Sequence, residues 1–142
     1  MIEVHYNEIE EVPGVNSELL VLWLLSVADE EGFTCENINI VFCSDLFLLE
    51  LNKRFLAHDY FTDIITFDYC QGKIVSGELY ISMERVRDNA DQLNQDFINE
   101  VNRVCVHGIL HLCGYGDKSS EEQWKMRSKE DYYLNKYVSR ET

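Results

Sequence analysis

The segment from Asp96 to Gly114 constrains the fold of this chain more than any other, because it has the pattern of one long apolar helix. Asp96 or Asn99 can cap its amino terminus, and Gly114 can end it in a left-handed conformation. A helix that is apolar on most of its surface is stable only where other elements bury it. We therefore predict that this helix packs near a sheet formed by other parts of the chain.

The remaining hydrophobic patterns predict the order strand, helix, strand, helix, strand, strand, helix, helix, helix. The predicted strands span residues 2–6, 38–42, 63–69 and 74–82, and the other helices span residues 17–31, 44–55, 83–94 and 119–138. In the second helix we expect Leu46, Leu49 and Phe55 to face the protein and Glu50 and Lys53 to face solvent. This order predicts an α+β fold with a single domain over residues 1–142. We expect a small, mixed four-stranded sheet with about five helices, and a metal site on a helix and its following turn.

The composition predicts a cytoplasmic protein without a membrane segment. The chain has 142 residues, 46% of them apolar, which is enough for one hydrophobic core. No export segment is recognisable at the amino terminus, and the most apolar window, residues 19–28, is half of what a bilayer requires. Five cysteines form an odd number without a CxxC pair, which favours reduced thiols over a disulfide framework.

Two histidines and an aspartate predict a metal site. His107 and His111 are four residues apart, so a helix places both imidazoles on the same side, one turn apart. Such a pair alone is more often structural, but Gly114 allows the chain to turn back so that Asp117 approaches the same point. Two nitrogens and one carboxylate, with a position open for water, are typical of a catalytic zinc site.

Nearby residues have simpler interpretations. Asp117 could cap the next helix, but Ser119 is better placed to do so. Cys105 and Cys113 fall on other sides of the helix than the histidines, which predicts that they belong to the core. Glu100 lies two turns before the first histidine, on the same side, and is either part of the polar surroundings of the site or a solvated surface acid.

Three motifs resemble one known family. Residues 107–115, HGILHLCGY, are similar to the HGxLHLxGYDH signature of the YbeY family. Residues 51–67 resemble its LNxxYRxKDxPTDVLSF stretch, and residues 77–82, GELYIS, resemble its GDIxIS strand. The resemblance implies an α+β fold and one Zn²⁺ per chain held by His107, His111 and Asp117. It also implies a single-strand-specific endoribonuclease that acts on rRNA precursors in rRNA maturation and ribosome quality control, with the ribosome or small-subunit proteins as partners.

The chain departs from the family pattern at chemically important positions. Asp117 replaces the third histidine, Leu56 replaces the arginine of the YR pair, and His58 and Phe61 replace the lysine and the proline of the same stretch. A carboxylate ligand makes the ion a weaker Lewis acid and also accepts harder metals. Loss of the guanidinium removes a bidentate donor for a phosphate oxygen.

The charge distribution limits where RNA can bind. The net charge is −14, and residues 1–52 hold eleven acidic residues and no lysine or arginine. A ribonuclease function therefore requires a local positive site made by the metal and basic residues of the later part of the chain. The candidate substrate contacts are His58, Arg85, Arg87 and Arg103, and the sequence does not choose among them.

Two other functions remain as alternatives. A metal-binding ribosome-assembly factor with little or no catalysis is favoured by Leu56. A zinc peptidase is disfavoured because Gly108 occupies the position where HExxH proteases have their glutamate base.

Overall fold

The structure, a computed structural model, describes the backbone of residues 1–141 and the side chains of residues 1–137. Thr142, the last residue of the predicted domain, lies outside the described residues. The strands are β1 (Ile2–Tyr6), β2 (Thr34–Cys43), β3 (Ile64–Asp68) and β4 (Ile74–Ser82). The helices are α1 (Ser17–Glu30), α2 (Asp45–Leu56), α3 (Met83–Gln92), α4 (Phe97–Leu112) and α5 (Ser120–Glu141). The predicted α+β class, element order and mixed four-stranded sheet are confirmed.

The sheet has the strand order β1-β2-β4-β3. β2 pairs in parallel with β1 and β4, and β3 and β4 form an antiparallel hairpin, in which Gly72 has a φ of 58°. β2 begins at Thr34, earlier than predicted, because Thr34 and Cys35 pair with Ile74 and Val75 of β4. This polar start of the strand lacks the apolar alternation by which a strand is recognised.

Side-chain caps define where the helices begin. The side chains that accept a hydrogen bond from the backbone N–H three residues later belong to Asn16, Ser44, Ser82 and Asp96. Before α5, the Ser119 hydroxyl accepts from the Glu122 N–H at 3.1 Å and the Glu122 carboxylate accepts from the Ser119 N–H at 3.0 Å. This reciprocal pair is a capping box, and it confirms Ser119 as the cap of α5.

The sheet separates a large core from a small one. Along β4, Leu79 and Ile81 point into the large core, which also contains buried residues of α1, α4 and α5. Tyr80, between them, points to the opposite face and packs on the small cluster that includes Leu48 of α2. Ile109 and Leu110 of α4 are fully buried, and such burial contributes about 1.5–3 kcal/mol per side chain. The sheet thus fixes α4 rigidly along one face.

The predicted orientation of α2 is wrong. Leu46 and Phe55 are 69% and 58% exposed, and the buried residues are Leu48 and Asn52. The Asn52 amide donates to the Tyr60 carbonyl at 2.8 Å, so its burial is satisfied. A polar residue on the buried stripe concealed the true apolar face from the sequence pattern.

Within residues 1–141, none of the helices is both long enough and apolar enough to cross a membrane.

Candidate metal centre

Helix α4 positions both histidines at the edge of the sheet. Gly108, between them, packs so tightly that an added Cβ would lie 2.8 Å from Leu79 Cδ1. This close approach presses α4 onto β4 and leaves the His107 and His111 rings facing the same side, with ring centroids 4.6 Å apart and planes at 86°. The glycine is therefore required by packing, which also explains why no side chain with a catalytic group stands at this position.

The turn after α4 brings the third group to the histidines. Gly114 has a φ of +101°, a conformation that L side chains rarely adopt, and its N–H bonds the His111 carbonyl at 2.9 Å. Asp117 Oδ2 then lies 3.1 Å from His111 Nε2 and 3.4 Å from His107 Nε2. Among the described residues, this trio is the group of histidine, cysteine and acidic side chains that clusters closely enough to hold a metal, with its ligand atoms within 4.8 Å of one another. The structure thus brings the three predicted ligands together.

The outer nitrogens of both imidazoles are already held by acceptors. His107 Nδ1 lies 2.7 Å from Glu130 Oε2, and His111 Nδ1 lies 2.8 Å from the Tyr115 carbonyl oxygen. Each Nδ1 thus faces an acceptor, which favours a proton on Nδ1 and leaves Nε2, the nitrogen near Asp117, as the one available to a metal.

The donor set fits a zinc ion. Two atoms that each ligate a tetrahedral zinc at about 2.0–2.1 Å lie about 3.3 Å apart, close to the separations of both Nε2 atoms from the Asp117 oxygen. Imidazole nitrogens oriented by a carboxylate and a backbone carbonyl are also the usual surroundings of a zinc-binding histidine.

Glu130 was missed by the sequence analysis. This carboxylate is only 4% exposed, and it also accepts from Arg103 Nη1 at 2.8 Å. It lies on α5, 23 residues after the histidine it holds. The available signal was its place on the buried face of α5, together with Met126, Leu134 and other apolar residues.

Opposing effects act on the pKa of His107. Burial lowers this pKa, but the hydrogen bond and charge of Glu130, followed by the charges of Asp117 and Asp63, outweigh burial and raise it above its ordinary value. Asp63 is itself desolvated, which raises its pKa although the charge of His107 opposes the shift. The site is therefore rich in negative charge that a cation would relieve.

Glu100 is buried, so its interpretation as a solvated surface acid is wrong. It is 6% exposed, lines a cavity of about 350 Å³ together with His107, and its Oε2 has no hydrogen-bond partner. Burial raises its pKa, although the charges of Arg103 and Arg127 lower it. It belongs to the polar surroundings of the site, the other interpretation that the sequence left open.

The structure shows which of the four basic candidate residues lie close to the candidate ligands. His58 lines a second cavity, of about 560 Å³, together with the three candidate ligands. Arg103 lies next to the site but is bound by Glu130 and, at 2.7 Å, by Asp131. The two others line neither cavity and are held elsewhere, Arg85 by Asp45 at 2.7 Å and Arg87 over the ring of Phe97 at 3.9 Å.

The structure also shows where other polar residues near the site and the two cysteines of α4 and its following turn lie. Thr62 and Asp63 line the larger cavity, whereas Glu78 accepts hydrogen bonds on the sheet from neighbouring tyrosine hydroxyls. Cys105 is fully buried, as predicted, and burial raises its pKa to about 12. Cys113 is 9% exposed and belongs to the same core.

Comparison with known proteins gives one consistent result. The family model described as Endoribonuclease YbeY matches residues 4–138. Proteins named Endoribonuclease YbeY from Parabacteroides distasonis and Flavobacterium psychrophilum are 41% and 45% identical to this chain over 134 and 132 residues. The matches cover 94% of both chains for the first protein, and 93% of this chain and 90% of the other for the second. The solution structure of TM1509 from Thermotoga maritima has a TM-score of 0.70 at 29% identity, covering 99% of this chain and 91% of that chain.

Proposed function

The chain belongs to the endoribonuclease YbeY family, and from this membership and the geometry of its histidine and aspartate side chains we propose that it is a metal-dependent endoribonuclease. It is a hydrolase that cleaves phosphodiester bonds of single-stranded RNA, and residues 1–142 form its single catalytic domain. The observation that carries the proposal is the convergence of His107 Nε2, His111 Nε2 and the Asp117 carboxylate beside an open cavity.

One Zn²⁺ per chain is held by His107, His111 and Asp117. When bound, it supplies Lewis acidity to a phosphodiester oxygen or to the attacking water. The protein's own residues keep the two histidines in the form that can ligate a metal. Glu130 and the Tyr115 carbonyl keep protons on the outer nitrogens, so that both inner nitrogens remain free to ligate.

Substrate contacts come from a basic group that lines the larger cavity and that, among the described residues, has no acidic partner in its hydrogen bonds and ion pairs. His58 is the predicted basic residue best placed to contact RNA, because it lines the larger cavity with the ligands. Arg103 acts through Glu130, since both of its terminal nitrogens are bound to acids. Arg85 and Arg87 contribute at most to more distant parts of the strand.

The biological setting follows from the family. We assign the chain to rRNA maturation and ribosome quality control, with a single-stranded rRNA precursor as substrate and the ribosome or small-subunit proteins as partners. A cytoplasmic location agrees with its five cysteines, all of which are free thiols.

Direct measurements test this function. We expect about one zinc per chain by elemental mass spectrometry, with loss of zinc in His107→Ala and Asp117→Ala. We expect cleavage of single-stranded RNA by the zinc-loaded protein, and loss of cleavage in His111→Ala. Cleavage that persists unchanged in His111→Ala would identify a contaminating nuclease and contradict the proposal.

A ribosome-assembly factor that binds metal but cleaves RNA little or not at all is the alternative. Leu56 favours it, because this position lines the cavity without a cationic group, and Arg85 and Arg103 are neutralised by acids. Zinc-loaded protein that binds RNA and leaves it intact would support this alternative. The zinc peptidase hypothesis has no support from the site, since Gly108 packs against Leu79 and no side chain can replace it without displacing that residue.

A further inference from the structure

Several exposed apolar side chains follow one another closely near the end of α2, and two of them, Leu56 and Tyr60, line the larger cavity. Phe55, Leu56, Tyr60 and Phe61 are 58%, 43%, 56% and 47% exposed, and all four lie at the end of α2 or in the loop that follows it. Large apolar side chains that are exposed together in this way mark binding surfaces more often than chance.

The loop that carries these side chains is held in place before any ligand binds. Ala57 adopts a φ of 57°, and the N–H of His58 bonds the Asn52 carbonyl at 3.1 Å. The buried Asn52 amide donates to the Tyr60 carbonyl at 2.8 Å. A surface fixed in this way loses little conformational entropy on binding.

Two rings of the loop form a flat, stacked pair. The rings of His58 and Tyr60 have centroids 5.0 Å apart and planes at 21°, and the Tyr60 hydroxyl lies 3.0 Å from His58 Nδ1. Aromatic side chains presented in this way stack on nucleobases, and they do so only where the bases are unpaired.

The ring pair and the candidate ligands line one continuous cavity. The lining of this cavity, of about 560 Å³, includes Leu56, His58, Tyr60, the three candidate ligands and Lys118. Its volume lies within the range of about 300–1,000 Å³ typical of sites for small molecules, which is large enough for a nucleotide.

Charge favours this cavity over its neighbour as the position of RNA. Its charged lining groups are the carboxylates of Asp63 and Asp117 and the ammonium of Lys118, which give one net negative charge. A divalent cation at the candidate ligands therefore makes the cavity positive. The neighbouring cavity has a net charge of two negative units, which the same cation only neutralises. Its charged groups are the carboxylates of Asp63, Glu100, Asp117 and Glu130 and the guanidiniums of Arg103 and Arg127. A polyanion is therefore attracted to the first cavity and not to the second.

We propose that the His58 and Tyr60 ring pair stacks on a nucleobase next to the scissile phosphate, and that Lys118 contacts the adjoining phosphate. This specificity site rests on the proposed ribonuclease function, and it explains a preference for single strands because a paired base is inaccessible to the rings. It also assigns part of the role of the missing family arginine to Lys118, which lines the same cavity.

The test is binding of two fluorescent strands by zinc-loaded protein, and both strands carry phosphorothioate linkages, which keep the charge and resist hydrolysis, so that gel analysis finds them intact. One strand is a short oligoadenylate RNA, and the other is an abasic ribose-phosphate strand of the same length. We expect Tyr60→Ala and His58→Ala to weaken binding of oligoadenylate by about 5- to 100-fold and to leave binding of the abasic strand unchanged. Tyr60→Phe keeps the ring and should stay within about twofold of the wild type, which separates stacking from the hydroxyl hydrogen bond.

Tyr69→Ala is the matched control, because Tyr69 is 58% exposed, similar to Tyr60, and lines neither cavity. Its affinity for both strands should equal that of the wild type. Lys118→Ala should weaken both strands and reduce the slope of log affinity against log salt by about 0.7.

The outcomes distinguish this inference from the ribonuclease function. If the ring variants bind and cleave RNA like the wild type while His107→Ala does not cleave, the stacking site is wrong and the ribonuclease function stands. If the wild type never cleaves RNA but binding depends on the bases and on Tyr60, the stacking site stands and the ribonuclease function is wrong. Equal losses in Tyr69→Ala and Tyr60→Ala would overturn the assignment of the rings.

Discussion

The carboxylate of Glu130 is the group whose replacement tests the metal centre most sharply. It accepts from His107 Nδ1 at 2.7 Å and from Arg103 Nη1 at 2.8 Å, so both of its oxygens are engaged. Glu130→Gln keeps the shape but offers only one acceptor oxygen. Because the arginine can never accept, the oxygen stays with Arg103 and the new amide N–H faces His107.

An amide donor at this place shifts the proton of His107. Nδ1 must now accept, so the proton moves to Nε2, the nitrogen that faces Asp117. Loss of a partner that orients a histidine ligand lowers metal affinity by about 10- to 100-fold. We therefore expect the zinc dissociation constant of Glu130→Gln to rise by that factor, measured with a competing chelator dye at the same pH for both proteins.

The stability of the metal-free protein gives a second readout. Glu130→Ala leaves Arg103 with one acid instead of two, and the arginine side chain is only 16% exposed. Breaking a buried ion pair costs about 3–5 kcal/mol, and the remaining bond to Asp131 reduces the expected loss to about 2–3 kcal/mol in urea unfolding.

Asp131→Asn is the control for this prediction. Asp131 bonds the same arginine at 2.7 Å, but its side chain is 54% exposed and makes no contact with His107. The substitution should change stability by less than about 1 kcal/mol and leave zinc affinity unchanged. Wild-type zinc affinity in Glu130→Gln would refute the argument that this carboxylate sets the histidine tautomer.

Three further predictions concern other parts of the structure. Burial raises the pKa of Glu31, but hydrogen bonds from Tyr133, Tyr115 and Lys129 outweigh it and lower the pKa, so the unfolded state binds the proton more tightly. Stability from Glu31 is therefore present above about pH 5 and lost as pH falls, and urea unfolding of Glu31→Gln should depend less on pH below that value. Gly108→Ala places a Cβ 2.8 Å from Leu79 Cδ1, and thermal unfolding should show a loss of about 1–3 kcal/mol. Leu56→Arg restores a guanidinium to the lining of the larger cavity and should raise the rate of RNA cleavage, and an unchanged rate would show that this position does not reach the phosphate.

Local rules explain why much of the fold was predictable. The helix caps, the Gly72 hairpin and the capping box at Ser119 depend on residues close in sequence, and the structure contains all of them. The ligand trio was predictable for the same reason, since His107 to Asp117 span one helix end and one turn.

The remainder depends on contacts between distant residues. The sheet order, the burial of Asn52 and the link from Glu130 to His107 join segments that no local pattern relates. Arg85 and Arg103 looked available for substrate in the sequence, yet each is bound by an acid from another element. The sequence therefore does not show whether a basic side chain is available to substrate, because its acidic partners can come from distant elements.

The balance of charge at the ligands connects these observations to catalysis. A site with three neutral histidines leaves the full charge of a divalent ion for the substrate, whereas Asp117 and the nearby Glu130 offset most of that charge here. Attraction of a phosphate must then come from groups outside the ligand set, on the side with the fewest carboxylates. The cavity of His58 and Lys118 satisfies this condition, while the basic side chains of the neighbouring cavity are outnumbered by acids. In the proposed site, an aspartate ligand in place of a histidine therefore increases the dependence of RNA binding on stacking and on a single lysine.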